Sequence, residues 1–354
     1  MKLIRIILTV TAILQGFAGK ISAQQGGSDV IAEFIKNNPD KGAIYLVQNG
    51  KVLADINADR KSPLASTAKI IVAIEYAAQA ASGKINPSAL VDTAELDKYY
   101  IPNTDGDAHP TWLEYMQKRT RIKNGKVALE EVAKGMIDFS SNANTEYLLD
   151  LLGVDNVNKR LLQLGLENHD KLYYLVGSLG IISGKEAADI GNMPMEEYIA
   201  RSYEEHDKLK TDPGYKNAIQ GLSLEAQKVW SDRLPAATPK DYVSLLQKIN
   251  SRTFFDEATQ KHLAVVMERL MDNPANQQWL KHAGMKGGST LWVLTKAIYA
   301  TTTTGETTEL AYFFNNLKMQ DVDKLAMNMN SFELAILTNR NGARDNILKI
   351  LNDQ

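Results

Sequence analysis

Ser66 and Lys69 stand three positions apart at the start of the most apolar helical stretch in the chain. On a helix this spacing puts both side chains on one face, one turn apart. A serine hydroxyl is a weak nucleophile until a neighbouring base takes its proton. Lys69 is set among Ile70, Ile71, Val72 and Ile74, and burial of this kind lowers a lysine pKa toward neutrality, where the amine can act as that base. The helix N-terminus adds backbone N–H groups that suit negative charge developing on an attacked carbonyl. A second group, Ser140-Ser141-Asn142, lies between two helical patterns; from such a corner a hydroxyl and an amide two residues apart can point together. The third is Lys286-Gly287-Gly288-Ser289 within a strand pattern. Two glycines weaken a strand and call for a reason, such as close approach of a ligand or another backbone. Lys286 can hold a carboxylate as a point charge. Taken singly, each pattern also has a plainer reading: a helix cap beside a solvated lysine, a Ser or Asn cap, and an edge-strand bulge with an exposed lysine.

The elements that would position these groups can be read from periodicity. Val30 to Ile35 supplies a short helix. Ala43 to Val47 and Val52 to Ile56 read as strands joined at Asn49-Gly50, a strong hairpin signal. Thr67–Ala81 is a nearly all-apolar helix, buried on most sides, that Gly83 ends. From about 85 to 280 the pattern is mainly helical, with segments at 127–139, 145–152, 157–164 and 256–271. Thr238-Pro239-Lys240-Asp241 makes a capped helix start. Residues 190–235 are charge-rich with Pro213-Gly214 inside, and read as a helical insertion. Strands return at 283–289, 293–301 and 309–314. Val322, Leu325, Met329, Phe332 and Ile336 recur at helical spacing, so the final segments are read as helices. Two early and three late strands predict an α/β (α+β) fold: one five-stranded antiparallel sheet flanked by helices, closed by both chain ends, with a large helical region inserted. The expected domains are 24–84 together with 281–354, and 85–280, which includes the 190–235 insertion.

Lys2 and Arg5 precede an apolar run from Ile6 to Phe17, and small residues follow up to Ala23. That order describes a secretory signal peptide over residues 1–23, hence a periplasmic or secreted protein without stable membrane insertion after cleavage. There is no cysteine to carry a lipid or a disulfide. Loss of Lys2, Arg5 and Lys20 takes the formal charge from -2 to -5, and no basic patch remains to suggest a nucleic-acid partner. The 44% apolar and 23% charged composition fits an ordinary globular chain and excludes a disordered one. His109, His169, His206, His262 and His282 are isolated, without metal-ligand spacing, and no glycine-rich phosphate loop occurs. Neither a metal nor a cofactor is expected.

In order along the chain, Ser66-Thr67-Ala68-Lys69, Ser140-Ser141-Asn142 and Lys286-Gly287-Gly288 match S-x-x-K, S-x-N and the third-strand lysine motif. With Pro63 three before the serine, Leu148-Leu149 after the second motif and Thr238-Pro239 opening a late helix, the chain resembles the serine β-lactamases and penicillin-binding proteins, closest to the class A β-lactamase type, over most of 30–354. The resemblance implies Ser66 as the acylated nucleophile, Lys69 as base or proton relay, and Ser140 as the serine that passes a proton to the leaving group. Asn142 would touch the substrate amide and help hold Lys69; Lys286 would support Ser140 and attract a carboxylate. Gly288 belongs to the third motif, and the N–H of Ser66 with that of Ser289 or Thr290 would form the oxyanion hole. Among Tyr99, Tyr100, His109 and Trp112, Tyr100 is the choice for an aromatic at the cleft mouth. In a working site the reacting pairs approach roughly 2.6–3.2 Å, or more without ligand. Two departures matter. Gly287 lacks the usual Ser or Thr hydroxyl, which Ser289 is expected to replace. And from Gly165 to Gly177 no Glu-x-x-x-Asn pattern occurs, with Glu167 and Asp170 too early and Glu186 too late. The expected function is a secreted serine acyl hydrolase acting on a small-molecule amide or ester, such as a β-lactam or a peptidoglycan fragment, with slow release of a β-lactam acyl group. The alternative is a penicillin-binding or peptidoglycan-binding protein that acylates slowly or is non-catalytic.

Overall fold

The computed structural model describes residues 27–353; the expected signal peptide lies outside them. The five expected strands share one antiparallel sheet: β1 (Gly42–Gln48), β2 (Lys51–Ile56), β3 (Leu280–Ser289), β4 (Leu294–Thr302) and β5 (Thr307–Phe314), in the order β2-β1-β5-β4-β3. The β1–β2 turn has both Asn49 (φ 49) and Gly50 (φ 75) left-handed, as a tight two-residue hairpin turn requires. β1 joins the late strands directly, from Gly42 opposite Phe314 to Gln48 opposite Thr308. The chain ends therefore close the sheet, and β3 is left as a free edge.

Alternation divides β4 and β5 between two cores. Ala297, Tyr299, Ala311 and Phe313 face the inserted helices. Ile298, Leu310, Tyr312 and Phe314 face the helices Val30–Asn37, Met319–Thr338 and Ala343–Asn352, so the last segments are helical as their spacing predicts. Lys69–Ala81 packs among the inserted helices, chiefly against Glu257–Met267, with Ile70 to Ile74 fully buried; Gly83 (φ 73) follows its end. The Pro239–Asn250 helix starts with a complete Thr238/Asp241 capping box. Residues 190–235 form the helices Met195–Thr211 and Leu224–Arg233, and Tyr198, Leu209, Ile219 and Ala226 pack there with Tyr173, Val176 and Leu179.

Two details depart from the sequence pattern. The expected helix from Thr67 begins as a 3-10 turn, Ala65–Ala68, and becomes α-helical only at Lys69. Two short pairings also occur, Ser62–Pro63 with Ala236–Ala237 and Leu90–Asp92 with Lys126–Ala128. At two or three residues these are too short to show alternation. Among the described residues no helix is long and apolar enough to cross a membrane.

Candidate active site

The turn that carries Ser66 is fastened to the sheet. Thr295 on β4 donates its hydroxyl to Leu64 O at 2.8 Å, and Thr67 Oγ1 lies 2.8 Å from Thr295 Oγ1. Ala65, just before the serine, is held at φ 46; a non-glycine residue there costs about 1–3 kcal/mol and persists only when its surroundings impose it. Gly288 explains how the strand comes so near. A Cβ on it would lie 2.4 Å from Leu64 O and 2.6 Å from Ser66 N. The Ser66 hydroxyl lines a cavity of about 800 Å³ and makes no hydrogen bond among the described residues.

The second motif divides its work among three residues. Ser141 caps the helix Asn142–Leu152, accepting from Asn144 N, with His109 Nδ1 at 2.9 Å from its hydroxyl. Ser140, at φ 66, and Asn142 turn to the lysines. Lys69 Nζ donates to Ser140 O at 2.7 Å and Asn142 Oδ1 at 2.8 Å, and lies 3.4 Å from Ser140 Oγ. Lys286 Nζ donates to Ser140 Oγ at 3.0 Å and to Gly287 O at 2.6 Å. Lys69, Ser140, Asn142 and Lys286 are thus hydrogen-bonded together, and Ser66, Ser140, Asn142 and Lys286 line one cavity. Among the described residues Lys69 makes no hydrogen bond to Ser66; its amine is engaged by Ser140 and Asn142.

Burial pushes Lys69 down to about 7, although the charges of Asp105 and Glu146 pull upward. Lys286 is held well below its ordinary range by burial, then by Lys69 and Lys296. Two lysines against one hydroxyl cannot both carry a proton cheaply. A neutral Lys69 amine uses its two protons on Ser140 O and Asn142 Oδ1 and keeps a lone pair free to accept a third.

The free edge of β3 bears on the oxyanion donors. Thr290 N–H is engaged by Val293 O at 2.9 Å. Hydrogen-bonding direction alternates along an antiparallel edge strand, so the N–H of Ser289, one residue earlier, turns outward. Between the two donors expected from sequence, Ser289 is the one left available. Tyr100 does not line the cavity. It is half-buried and tilts against His109, while Ile101 to Gly106 pass along the cleft and Tyr115 lines it.

A profile of the beta-lactamase enzyme family matches residues 28–281. The chain belongs to that family. Solved structures agree on the fold. The β-lactamase of Sphaerobacter thermophilus is 19% identical, with a TM-score of 0.54 and 87% of this chain and 96% of that one covered. A class A representative from Bacteroides cellulosilyticus is 16% identical, with a TM-score of 0.53 and coverages of 93% and 99%. PBP-A, as a mutant in an acyl-enzyme complex with penicillin G, is 17% identical, with a TM-score of 0.51 and coverages of 90% and 97%. No curated protein matches.

The acidic residues in and after the loop that follows the second motif stay outside the cavity. Glu167 and Glu186 are exposed, and Asp170 pairs with Lys61 at 2.5 Å and accepts from Ala236 N. None of the three lines the cavity. The fully buried Glu146 anchors the loop instead, accepting from Val176 N and Gly177 N at 3.0 and 2.9 Å and lying 3.1 Å from His206 Nδ1. Burial alone would lower His206, but Asp150 and Glu146 outweigh it and raise the imidazole to about 9; the His206 contact in turn helps bring Asp150 down to about 2. Tyr174 stacks on this imidazole at 3.6 Å.

Four charged residues in the cavity wall, Lys296, Asp138, Arg269 and Asp105, were not legible as site residues. Lys296 on β4 is the register partner of Gly287, and its Nζ lies 3.5 Å from the buried Glu333 carboxylate. A Cβ on Gly287 would be 4.0 Å from that Nζ, so a cation stands beside the missing hydroxyl. Asp138 is raised to about 7 by burial, against Arg269 at 3.9 Å. Asp105 lies in the loop before the helix Ala108–Lys118. Cross-strand register carries the signal for Lys296; no periodicity marks the two aspartates. Among the described residues no group of three or more acidic or histidine side chains is placed to hold a metal ion.

Proposed function

We propose that this protein is a secreted or periplasmic serine acyl hydrolase that opens a small amide or ester, of the β-lactam or peptidoglycan-fragment kind, through an acyl-enzyme on Ser66. The observation that carries the reading is the joint hydrogen bonding of Lys69, Ser140, Asn142 and Lys286 in the cavity wall that also contains Ser66. In this mechanism neutral Lys69 takes the Ser66 proton as Oγ adds to the carbonyl carbon. The N–H groups of Ser66 and Ser289 receive the oxyanion, and Ser140, steadied by Lys286, hands its proton to the leaving group as it takes the one held by Lys69, 3.4 Å away, so that Lys69 is neutral again. Gly288 lets β3 come close enough to the Ser66 turn for that pair of donors to converge. Asn142 offers its amide to the substrate, and Lys286 with Lys296 draws a substrate carboxylate to the Gly287 end. We further take 24–84 with 281–354 as one lobe and 85–280 as the other, with the cleft between them.

A second reading follows from the loop. With Glu167, Asp170 and Glu186 away from the cavity, the protein acts as a penicillin-binding protein that acylates and releases its acyl group slowly. One experiment covers both. The purified mature chain and its Ser66→Ala variant are mixed with a chromogenic β-lactam and with an activated ester, and intact mass is followed in time. An adduct on the wild type alone supports the proposal, its lifetime separates hydrolase from binding protein, and no adduct with any probe refutes acyl transfer.

A further inference from the structure

The acyl-enzyme needs a group that takes a proton from water, and the usual loop supplies none here. Of the residues that line the cavity, two are carboxylates, Asp105 and Asp138. Asp138 stands on the Lys286 side and lies 3.9 Å from Arg269, which occupies its charge. Asp105 is different. Its Oδ2 accepts from His109 N at 3.1 Å, which fixes the side chain at the start of a helix. Its Oδ1 is buried without a hydrogen bond of good geometry, the Asn142 N–H bearing on the carboxyl more loosely. A buried acceptor left unpaired costs about 1–3 kcal/mol, so its persistence asks for a reason. The carboxyl acts on Lys69 through its charge, and the Asn142 N–H acts on it in turn. It therefore borders both Lys69, the nucleophile's base, and Asn142, one of the residues that hold that base.

We propose that Asp105 is the proton acceptor for hydrolysis of the acyl-enzyme. This rests on the reading of Ser66 as acylated nucleophile. Water adds through its oxygen to the acyl carbonyl carbon while one of its protons passes to Asp105 Oδ1. The bond between that carbon and Ser66 Oγ then breaks. The proton held by Asp105 returns by way of the Lys69 amine to Ser66 Oγ. The products are the free acid and the Ser66 hydroxyl, with Asp105 again a carboxylate. Burial raises the Asp105 carboxyl above its ordinary range, opposed by the backbone amides of His109, Asn142 and Ala108 and by the Lys69 charge. A carboxylate raised in this way is a better base than an exposed one.

The test measures acylation and deacylation separately, by rapid mixing with a chromogenic β-lactam and an activated ester and by intact mass after removal of excess probe. Wild type is compared with Asp105→Asn, Asp105→Glu, Glu167→Gln and Asp170→Asn, each checked by thermal unfolding. The expected result is that Asp105→Asn still forms the Ser66 adduct at a rate within a few-fold of wild type. Its lifetime should lengthen by about 10²-fold or more, the usual share of a general base. Asp105→Glu, which keeps the carboxylate, should restore part of the turnover, and the two loop variants should match wild type. Equal adduct lifetimes in wild type and Asp105→Asn overturn the inference and leave the acyl-transfer reading intact. So does a longer lifetime in Glu167→Gln or Asp170→Asn, or an equal loss of both rates in Asp105→Asn. Should Asp105→Asn fail to fold, no gain in lifetime for a folded Asp105→Glu, in which the longer side chain displaces the acceptor, counts against it. No adduct on wild-type Ser66 removes the acyl-transfer reading and this inference with it.

Discussion

A single methyl group at Gly288 should separate the site from its sheet. In Gly288→Ala the new Cβ would meet Leu64 O at 2.4 Å, Ser66 N at 2.6 Å and Thr295 Oγ1 at 2.7 Å. Non-bonded heavy atoms settle at about 3.5 Å, so the strand must retreat from the turn by roughly 1 Å. None of the three neighbours is the loose end of a flexible side chain. Leu64 O and Thr295 Oγ1 are bonded to each other at 2.8 Å, and Thr295 also meets Thr67. The displacement must pass to Ser66 and Ser289, the two donors proposed for the oxyanion. Overpacking of this kind costs about 1–3 kcal/mol, and a 1 Å misplacement in a reacting site costs about 10²-fold in rate. The neighbouring position is the control. A Cβ at Gly287 meets Lys296 Cδ and Thr295 O at an ordinary 3.4 Å, so Gly287→Ser should unfold within about 1 °C of wild type, as an unstrained partly exposed substitution does. It also sets a hydroxyl beside the Lys296 ammonium and should tighten capture of a carboxylate-bearing probe. Thermal unfolding and Ser66 acylation rates on the three proteins decide the matter. A Gly288→Ala protein that melts and acylates like wild type would refute the close-approach argument, and so would equal damage from both substitutions.

Other outcomes follow from the charges. Lys69 is held near 7 and is a base only when neutral, so acylation should rise with pH and reach half its plateau near pH 7. With Lys286 close by, the measured midpoint belongs to the pair. A pH-rate profile flat from about pH 5 to 9, the range spanning that midpoint, would contradict Lys69 as base. Lys69→Arg, which cannot lose its proton, should acylate about 10²-fold more slowly or worse, measured by the same adduct assay. His206→Gln removes the partner of buried Glu146 and of Asp150 and should cost about 3 kcal/mol, read by denaturant unfolding. Its sign with pH is fixed by both shifts. The raised His206 contributes fully below about 6.5 and loses its contribution as pH rises through about 9. The lowered Asp150 contributes fully above about 4 and loses its share toward pH 2. The stability gap to wild type should therefore be widest near pH 5–6 and narrow on both sides; a gap that does not vary with pH would show that the ion cluster is not its source.

What the sequence makes legible follows the range of each interaction. The hairpin at Asn49-Gly50, the capped start at Thr238 and the apolar helix after Lys69 are local, and each is found where its pattern places it. The three motifs are legible because each sits at an element boundary, where a few adjacent residues must serve both backbone and site. Ser140-Ser141-Asn142 shows why a plain reading and a chemical one need not compete. Ser141 takes the cap, and so frees Ser140 and Asn142 to face Lys69 and Lys286. The illegible parts depend on register and on loop path. Lys296 reaches the cleft only because β4 pairs it with Gly287, and a one-residue slip would send it to the other face. Tyr100 looks apt by type and order, but the chain places Ile101 to Gly106 along the cleft and leaves the ring against His109. Glu146 lies four residues after Asn142 and reads from sequence as one more polar helix position; only the return of Val176 and Gly177 makes it the anchor of the loop. That anchor also bears on chemistry. A loop tied through its backbone to a buried carboxylate beside a charged His206 has its path fixed, with Leu175 at the cavity and Glu167 and Asp170 left with solvent and Lys61. The carboxylates of this loop outside the cavity and Asp105 in its wall are two separate features of the site. The Asp105→Asn and His206→Gln variants probe them independently, one through adduct lifetime and the other through stability.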